Sequence, residues 1–365
     1  MGEIRERNWR GPARRHGRRV WLLNAGSIDL GRSRADGGGA RRARWASLEA
    51  PVGPVRGLIQ IHRALPAAIF VFLIAGFISI LGCGKRRAAP EPIELWIGGD
   101  VHVGDSDGAG LAPISEALQG AHGIINLEGP IGAAPAPGGE LRLANAPSAV
   151  AALRKGGMNI AGIANNHAED QGPEGISQTA AALRELGALP AGGPAGPAVL
   201  STNERRVVIT AHDLSKGVPA GLERELEDAR GRGDVLVATF HVTGPPSYLP
   251  RPELRTAVEA AITKGALVVA AHGTHALGPV ERRGQAVIAW GLGNLLFACD
   301  CTDEVDGAVL RVSIEGATVR ARIIPIDAGL RGAAARPSHN PSLILDLFDA
   351  LGSSPLRREG LGAWF

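Results

Sequence analysis

Cysteine, lysine and aromatic residues are scarce in this chain of 365 residues. It has three cysteines, four lysines among 39 basic residues, and 4% aromatic residues with a single tyrosine. Three cysteines are too few for a disulfide framework or a four-thiolate zinc site. Glycine, alanine, proline and arginine are abundant instead, a bias typical of a GC-rich genome. At this length the chain can form one large domain or two small ones with a substantial core.

Two catalytic signatures are also missing from the sequence. No G-x-x-x-x-G-K-[ST] segment occurs, so a P-loop that drives chemistry with a nucleotide is not supported. Ser177 and Ser247 lie in no G-x-S-x-G elbow, which argues against a serine hydrolase.

The positive charge lies at the start of the chain and not in its body. Residues 1–50 contain 12 arginines against five acidic residues, whereas residues 83–365 contain 25 basic and 31 acidic side chains. A body that binds nucleic acid would show the opposite balance. We therefore expect no nucleic-acid partner.

One apolar run stands out near the start. Leu65–Leu81 is uncharged, has 17 residues, and follows Arg56 and Arg63. This length is marginal for a membrane span and suits the core of a signal peptide. The run ends in Ile80-Leu81-Gly82-Cys83, which resembles a bacterial lipobox. We predict a lipoprotein anchored at Cys83, with an uncleaved membrane anchor or a buried core helix as the alternatives; both anchored forms place the body in the cell envelope, outside the cytoplasm.

The chain is expected to divide into five segments. Residues 1–55 lack periodicity and are expected to be disordered or an over-extended gene start, with translation beginning near Val52 or Val55. The other expected segments are a signal peptide or membrane anchor over 56–83, a tether over 84–92, the folded domain over 93–327 and a C-terminal extension over 328–365.

From Ile93 onward, buried strands alternate with amphipathic helices, and a hairpin follows. This order predicts an α/β fold with layered sheets. Loops are expected over 131–140 and 190–198, where glycine, alanine and proline are frequent. The predicted strands are 93–97, 123–127, 159–164, 207–210, 235–240, 266–271, 286–290 and the hairpin 308–314 with 319–324; the predicted helices are 147–155, 175–186, 255–263 and 340–351.

Five of the predicted strands are followed at once by side chains that can bind metal. These segments read ELWIGGDVH, GIINLE, IAGIANNH, VLVATFH and LVVAAHGTH. In an open α/β sheet the loops after the strand ends face one crevice, so the five clusters are expected to meet. Imidazole, carboxylate and amide ligands without thiolates favour two divalent cations, Mn, Fe or Zn. A carboxylate such as Glu128 can bridge two such cations.

The segments GGDVHVG, INLEGP, GIANNHAEDQG, TFHVTG, AAHGTHALGPVE and AWGLGNLLF occur in an order that resembles the CapA family of capsule or poly-γ-glutamate synthesis proteins. The resemblance covers roughly residues 93–327. That family is similar to the calcineurin-type metallophosphoesterases, which implies an α/β fold built as a four-layer α/β/β/α sandwich.

The resemblance also implies a role for each strand-end residue. Asp100 and His102 look like the D-x-H pair on a first metal, and Glu128 stands at the bridging position. His167 would be the general acid or a phosphate-orienting histidine, and Asp170 would orient it. The remaining implied ligands are Asn166, His241 and His272 on the second metal and His275 on the first.

A few positions differ from the family's pattern or lie outside its implied ligand set. Val242, Pro245 and Thr274 replace its usual residues at the rim that faces the substrate, and Asn294 is expected to be structural or to line the substrate site. Cys299 and Cys301 have a spacing that is poor for a disulfide, so we expect two thiols, with a soft-metal site or a local disulfide as the alternatives.

The leading functional hypothesis is a two-metal hydrolase of a phosphoester or related bond in an anionic envelope polymer or its precursor. The alternative is a non-catalytic accessory protein of polymer synthesis or export, acting within a polymer-synthase complex. Hydrolysis of the amide bond of poly-γ-glutamate uses the same chemistry and stays open as a third possibility.

Overall fold

The computed structural model describes residues 91–106, 109–133 and 140–365. The segments predicted over 1–55 and 56–83, with the lipobox at Cys83, lie outside these residues. No helix in the described ranges is long and apolar enough to cross a membrane.

The described residues form two β-sheets, one of 11 strands and one of six. In chain order the strands are β1 Ile93–His102, β2 His122–Leu127, β3 Met158–Gly162, β4 Leu189–Ala191, β5 Ala198–Thr202, β6 Arg205–Asp213, β7 Val235–His241, β8 Ala266–His272, β9 Val280–Arg283, β10 Ala286–Ala289, β11 Asn294–Phe297, β12 Asp306–Glu315, β13 Thr318–Asp327, β14 Gly329–Leu330, β15 Arg336–Pro337, β16 Arg357–Glu359 and β17 Gly362–Trp364. The α-helices are α1 Ser115–Leu118, α2 Pro147–Lys155, α3 Gly175–Glu185, α4 Leu222–Arg230, α5 Pro252–Thr263 and α6 Pro341–Ala350.

Each sheet contains a block of parallel strands. In the larger sheet the order is β16-β17-β13-β12-β1-β2-β3-β4, and β1 to β4 run parallel, with β11 also parallel to β1. The smaller sheet has the order β5-β6-β7-β8-β10-β9, in which β6, β7, β8 and β10 are parallel. The strands β12 and β13 form the antiparallel hairpin that the sequence predicts.

Side chains that alternate along the strands separate three apolar cores. On β1, Leu95 and Ile97 face the core between the sheets, whereas Trp96 faces the outer core with α2 and α3. On β7, Val237 faces the inner core and Leu236 the other outer core, with α4 and α5. This period of two is what strands buried on both faces require. The layers are therefore helix, sheet, sheet and helix, so the predicted α/β sandwich is confirmed.

The first strand is longer than the sequence predicts. It continues through Gly98 and Gly99 to His102, because β11 pairs with its second half and the Asp100 N–H donates to the Gly293 carbonyl at 3.0 Å. A Cβ on Gly99 would lie 2.1 Å from the Gly293 oxygen, so only glycine permits this approach.

Two other segments differ from what the patterning indicated, although the helix predicted over 340–351 is present as α6. Within 190–198, predicted as a loop, the structure has the end of β4, a 3₁₀ turn over Gly193–Ala195 and the start of β5. Beyond Asp327, β17 pairs with β13, and Phe348 of α6 is fully buried in the core between the sheets. The residues after Asp327 thus continue the same sheet and core.

Candidate metal centre

The carboxyl ends of the parallel strands from both sheets meet at one edge of the sandwich. Asp100 of β1 is paired with Asn126 of β2 in the larger sheet. His241 and His272 are the last residues of β7 and β8 and are paired with each other in the smaller sheet. The His272 Nδ1 atom lies 3.6 Å from Asp100 Oδ1, across the two sheets. The convergence of strand ends predicted from the sequence is therefore present.

Three of the predicted ligands form a compact buried group. One ligand atom from each of Asp100, Glu128 and His241 lies within 4.8 Å of the others. All three residues are at most 2% exposed. Two carboxylates and an imidazole at this spacing are a donor set that can hold a divalent metal ion.

The amide nitrogen of Asn126 lies among these three ligands. It is 2.9 Å from Asp100 Oδ1, 3.2 Å from Glu128 Oε1 and 3.2 Å from His241 Nδ1. An amide nitrogen carries two protons and cannot satisfy three acceptors at once. The group thus has more acceptors than donors, a deficit that a cation would remove.

His272 is a second feature that fits a cation at this position. Its side chain is buried, and neither ring nitrogen has a hydrogen-bond partner among the residues that the structure describes. The separation of 3.6 Å from Asp100 is too long for a good hydrogen bond. A buried unpaired polar atom costs free energy, so an imidazole in this position calls for a ligand. The residues present fit a metal ion on this observation.

The pKa shifts of the two buried carboxylates also fit a cation at this position. Burial and the nearby charge of Asp100 raise the pKa of Glu128 well above its usual value. Burial also opposes ionisation of Asp100, but the hydrogen bond and charge of His275 outweigh it and hold the Asp100 pKa below its usual value. For His275, burial lowers the pKa, but contact with Asp100 outweighs it and raises the pKa to about 9. The charge of Asp100 thus disfavours a second negative charge on Glu128, an effect that a bound cation would offset.

Gly273, which follows β8 of the smaller sheet, is hydrogen-bonded to the Asp100 carboxylate of the larger sheet. Its N–H donates to Asp100 Oδ2 at 2.9 Å and to Oδ1 at 3.1 Å. Its φ is +87°, and a Cβ would lie 2.0 Å from the Val242 carbonyl oxygen and 2.6 Å from His241 Cε1. Only glycine can bring the main chain this close to Asp100.

His275 is held in an uncommon backbone conformation. Its φ is +53°, in the left-handed region that non-glycine residues rarely adopt. Its Nδ1 lies 2.8 Å from Asn294 Oδ1 and 3.3 Å from Asp100 Oδ2, and its ring packs edge-on to Phe297. Asn294, expected to be structural or to line the substrate site, therefore positions a predicted ligand.

His102 is placed differently from the other predicted ligands. Its Nε2 lies 3.0 Å from the Ala144 carbonyl oxygen, and its Nδ1 accepts from the Cys299 N–H at 3.2 Å. This pattern puts the ring proton on Nε2 and leaves both nitrogens bonded to the main chain. The structure does not bring His102 into the compact group with Asp100, and its assignment to the first metal stays a prediction.

The segment after β3 brings the remaining predicted residues to the same edge. Asn166 Oδ1 lies 2.6 Å from His241 Nε2. His167 Nδ1 lies 2.7 Å from Asp170 Oδ2, the contact that the resemblance implied. That carboxylate oxygen also accepts the Leu143 N–H at 2.6 Å, so it is fixed from two sides. The side chains of His167 and Asp170 keep 17% and 14% of their surface exposed, which leaves the pair accessible to a substrate.

Cys299 and Cys301 are joined by a disulfide, so the expectation of two free thiols is wrong and the alternative of a local disulfide holds. The separation of 5.3 Å between their Cα atoms brings the two side chains within bonding reach despite the short spacing. The N–H that His102 Nδ1 accepts belongs to this small loop.

Two asparagines that shape the site were not assigned roles from the sequence. Asn126 stands at a strand end in GIINLE, and its polarity in a buried segment was a usable signal. Asn145 is fully buried, donates to the carbonyls of Glu128 and Gly129, and accepts the Val103 N–H. It fixes the turn that carries Glu128, and no local pattern marks it.

Comparison with known proteins identifies one family for this chain. The family model described as "Bacterial capsule synthesis protein PGA_cap" matches residues 108–299, more than half of the chain. The comparison with curated proteins gave no match. Among solved structures, the chain is similar to the crystal structure of a hypothetical protein from Thermus thermophilus, with 14% identity, a TM-score of 0.45, and coverage of 64% of this chain and 98% of that one.

Proposed function

The chain belongs to the bacterial capsule synthesis protein family PGA_cap, and on that premise we propose that it is a metal-dependent hydrolase acting on an envelope polymer or its precursor. The bond cleaved is a phosphoester or a related bond. The observation that carries this proposal is the buried group of Asp100, Glu128 and His241, which has too few donors, beside His272, which has no partner in the described residues.

Asp100, Glu128, His241 and His272 would hold the metal ion. A second ion is part of the proposal, and the remaining implied ligands, Asn166 on one ion and His102 and His275 on the other, would complete the two-metal site. Divalent cations of this kind, Mn, Fe or Zn, supply Lewis acidity and allow water to ionise near neutral pH. The Gly273 N–H, the Asn294 amide and the Asn145 amide keep the ligands in place.

His167, oriented by Asp170, would donate a proton to the leaving group. Asp170 accepts from His167 Nδ1, which fixes the ring and leaves Nε2 as the atom that would donate a proton to the leaving group. A histidine oriented in this way can protonate a departing oxygen or nitrogen. Both side chains are partly exposed, as contact with a substrate requires.

The body is proposed to act in the cell envelope. The support is the family itself together with the apolar run Leu65–Leu81 and the lipobox-like Cys83. An anchor of this kind would hold the hydrolase against the membrane, near a polymer-synthase complex.

The test is turnover by the full chain purified in detergent and loaded with Mn²⁺. Aryl phosphomonoesters, aryl phosphodiesters and a γ-glutamyl anilide are offered to the wild type and to Asp100→Asn. We expect hydrolysis of at least one phosphoester by the wild type and none by the variant. Equal rates for the two proteins would show that a contaminant is responsible and would contradict the proposal.

A non-catalytic accessory role is the second candidate. The observation in its favour is His102, because both of its nitrogens are bonded to the main chain and one implied ligand is therefore engaged elsewhere. Tight metal binding without turnover of any of these substrates would support the accessory role and contradict the proposal that the protein is a hydrolase.

A further inference from the structure

A wide cleft in the described part of the chain adjoins the metal centre. It has a volume of about 550 Å³, within the range of sites that bind small molecules or single polymer units. Its walls are the segment after β3, the turn after β4 and the region from the end of β6 to α4. Apart from Asn166, its lining residues have no role in the catalytic proposal above.

Asn165 and Asn166 form the wall that the cleft shares with the metal centre. Asn166 lines the cleft, and its Oδ1 lies 2.6 Å from His241 Nε2. Asn165 also lines the cleft and donates to Asn126 Oδ1 at 3.2 Å. A group bound in the cleft would therefore lie one side chain away from the buried ligands.

Two residues of β6 that line this cleft each carry a buried polar atom without a partner in the described part of the chain. Thr210 and His212 line the cleft and are only 4% and 8% exposed. Neither Thr210 Oγ1 nor His212 Nε2 has a hydrogen-bond partner within the ranges that the structure describes. Because each unpaired buried atom costs free energy, a ligand that pairs with them would gain affinity.

The proton on His212 can be placed from its neighbours. Its Nδ1 lies 3.4 Å from a Glu225 carboxylate oxygen, so the proton belongs on Nδ1. Burial lowers the pKa of His212 to about 4, so the ring is neutral near pH 7. The unpaired Nε2 is therefore an acceptor that needs a donor from the ligand.

The charges on the walls disfavour an anion. Four acidic side chains line the cleft against two basic ones, Lys216 and Arg232. The acidic set is Glu169, Asp213, Glu225 and Asp228. A chain of γ-linked glutamate carries one carboxylate per unit and offers mainly acceptors, so it matches neither the charge nor the unpaired acceptor of His212.

We propose that this cleft is a subsite for a neutral sugar unit, so that the substrate of the hydrolase is glycosyl-based and is held by Thr210 and His212. Sugar hydroxyls both donate and accept, and they can pair with the acceptor His212 Nε2 and the hydroxyl of Thr210 together. They carry no charge to be repelled by the acidic wall. This subsite rests on the proposed hydrolase, because it places the sugar beside the metal centre.

The test is ligand-observed NMR on the full chain in detergent, with a chelator present so that binding is measured apart from catalysis. The probes are maltotriose, cellotriose, triacetylchitotriose and a γ-linked glutamate tetramer. His212→Phe keeps the stacking on Phe240 and removes the acceptor, and Thr210→Val removes the hydroxyl with little change of shape. His122→Phe is the matched control, because His122 lies at the start of β2, outside the cleft.

We expect at least one neutral trisaccharide to bind to the wild type and to His122→Phe with the same affinity. Each cleft variant should weaken that binding about tenfold, the effect of losing one buried hydrogen bond. Three results would overturn the subsite: no neutral trisaccharide binds, binding is unchanged in both cleft variants, or the glutamate tetramer binds and is weakened by the cleft variants. Sugar binding without turnover would refute only the hydrolase, and turnover without sugar binding would refute only the subsite.

Discussion

The two sheets bring different chemistry to the same centre. The larger sheet supplies carboxylates and amides, Asp100, Asn126 and Glu128, whereas the smaller sheet supplies imidazoles, His241 and His272. Each half alone is unbalanced, since the first has two buried carboxylates and the second has buried imidazole rings. Their contact across the sandwich creates a set of donors suited to a divalent cation. The site is therefore a product of sheet packing as well as of sequence.

Two strand-end histidines, one from each sheet, differ in their hydrogen bonds. His102 ends β1 and has both nitrogens bonded to the main chain, whereas His272 ends β8 and has neither bonded within the described residues. Both are strand-end residues of the same edge, and the sequence does not distinguish them. Their surroundings predict that the free ring, His272, contributes more to metal affinity.

The largest effect is expected from removing the shared carboxylate. Asp100→Asn deletes the charge that faces His272 and His275, so bound metal should fall to background and hydrolysis should be lost. Metal content by inductively coupled plasma mass spectrometry measures this. The matched control is Asp213→Asn, at the same edge but bonded to Ser215, which should keep its metal. Equal loss in both variants would mean that the charge of the edge, and not this cluster, binds the ion.

The next effect should separate metal binding from proton transfer. His167→Ala removes the proposed proton donor, so kcat should fall about 10²- to 10⁴-fold with metal content unchanged. Asp170→Asn keeps the ring but weakens its orientation, and a smaller loss is expected. Steady-state kinetics with a phosphodiester measures both. A loss of metal in His167→Ala would make that residue a ligand and contradict its proposed role.

The contrast between the two histidines gives a smaller effect. His272→Ala should weaken metal binding by at least about 10- to 100-fold, the cost of losing even an outer partner of a metal ligand. His102→Ala should weaken it less and instead lower the free energy of unfolding by about 1–2 kcal/mol, because its two main-chain partners are left unpaired. Metal titration and urea unfolding of the same samples give the two numbers. A larger metal defect in His102→Ala would show that its ring turns to the metal.

The last prediction concerns the cleft beside the centre. Burial lowers the pKa of folded His212 from 6.5 to about 4, so its neutral form stabilises the fold above about pH 6.5, and that contribution is lost as the pH falls toward 4. Between pH 7 and pH 4, His212→Phe should therefore lose up to about 3 kcal/mol less stability than the wild type. Chemical unfolding in the presence of a chelator measures it. Parallel pH profiles would contradict the buried, neutral state of His212.

Much of this arrangement follows from local patterns. Apolar strands that end in ELWIGGDVH, GIINLE and VLVATFH predicted the parallel strands and the meeting of their polar ends, because the carboxyl ends of parallel strands share one edge. The hairpin β12–β13 followed from its alternation around Gly316. These features depend on residues that are near in sequence.

The rest depends on contacts between distant segments. The amide of Asn126 lies among three ligands, the Gly273 N–H reaches Asp100 from the other sheet, and His102 is bonded to the main chain of Ala144 and Cys299. No pattern of apolar and polar residues encodes such distances. They are fixed when the two sheets pack, which is also when the differences between equivalent histidines appear.

The central claim is that Asp100, Glu128 and the histidines of the smaller sheet bind one divalent cation together. The most direct measurement is anomalous X-ray diffraction from crystals of the Mn²⁺-loaded protein. We predict an anomalous peak bonded to both carboxylates and to His241 or His272, with the Asn126 amide nitrogen displaced from the position it now shares with all three ligands. A well-ordered site without a peak there, and with Asn126 unchanged, would contradict the claim.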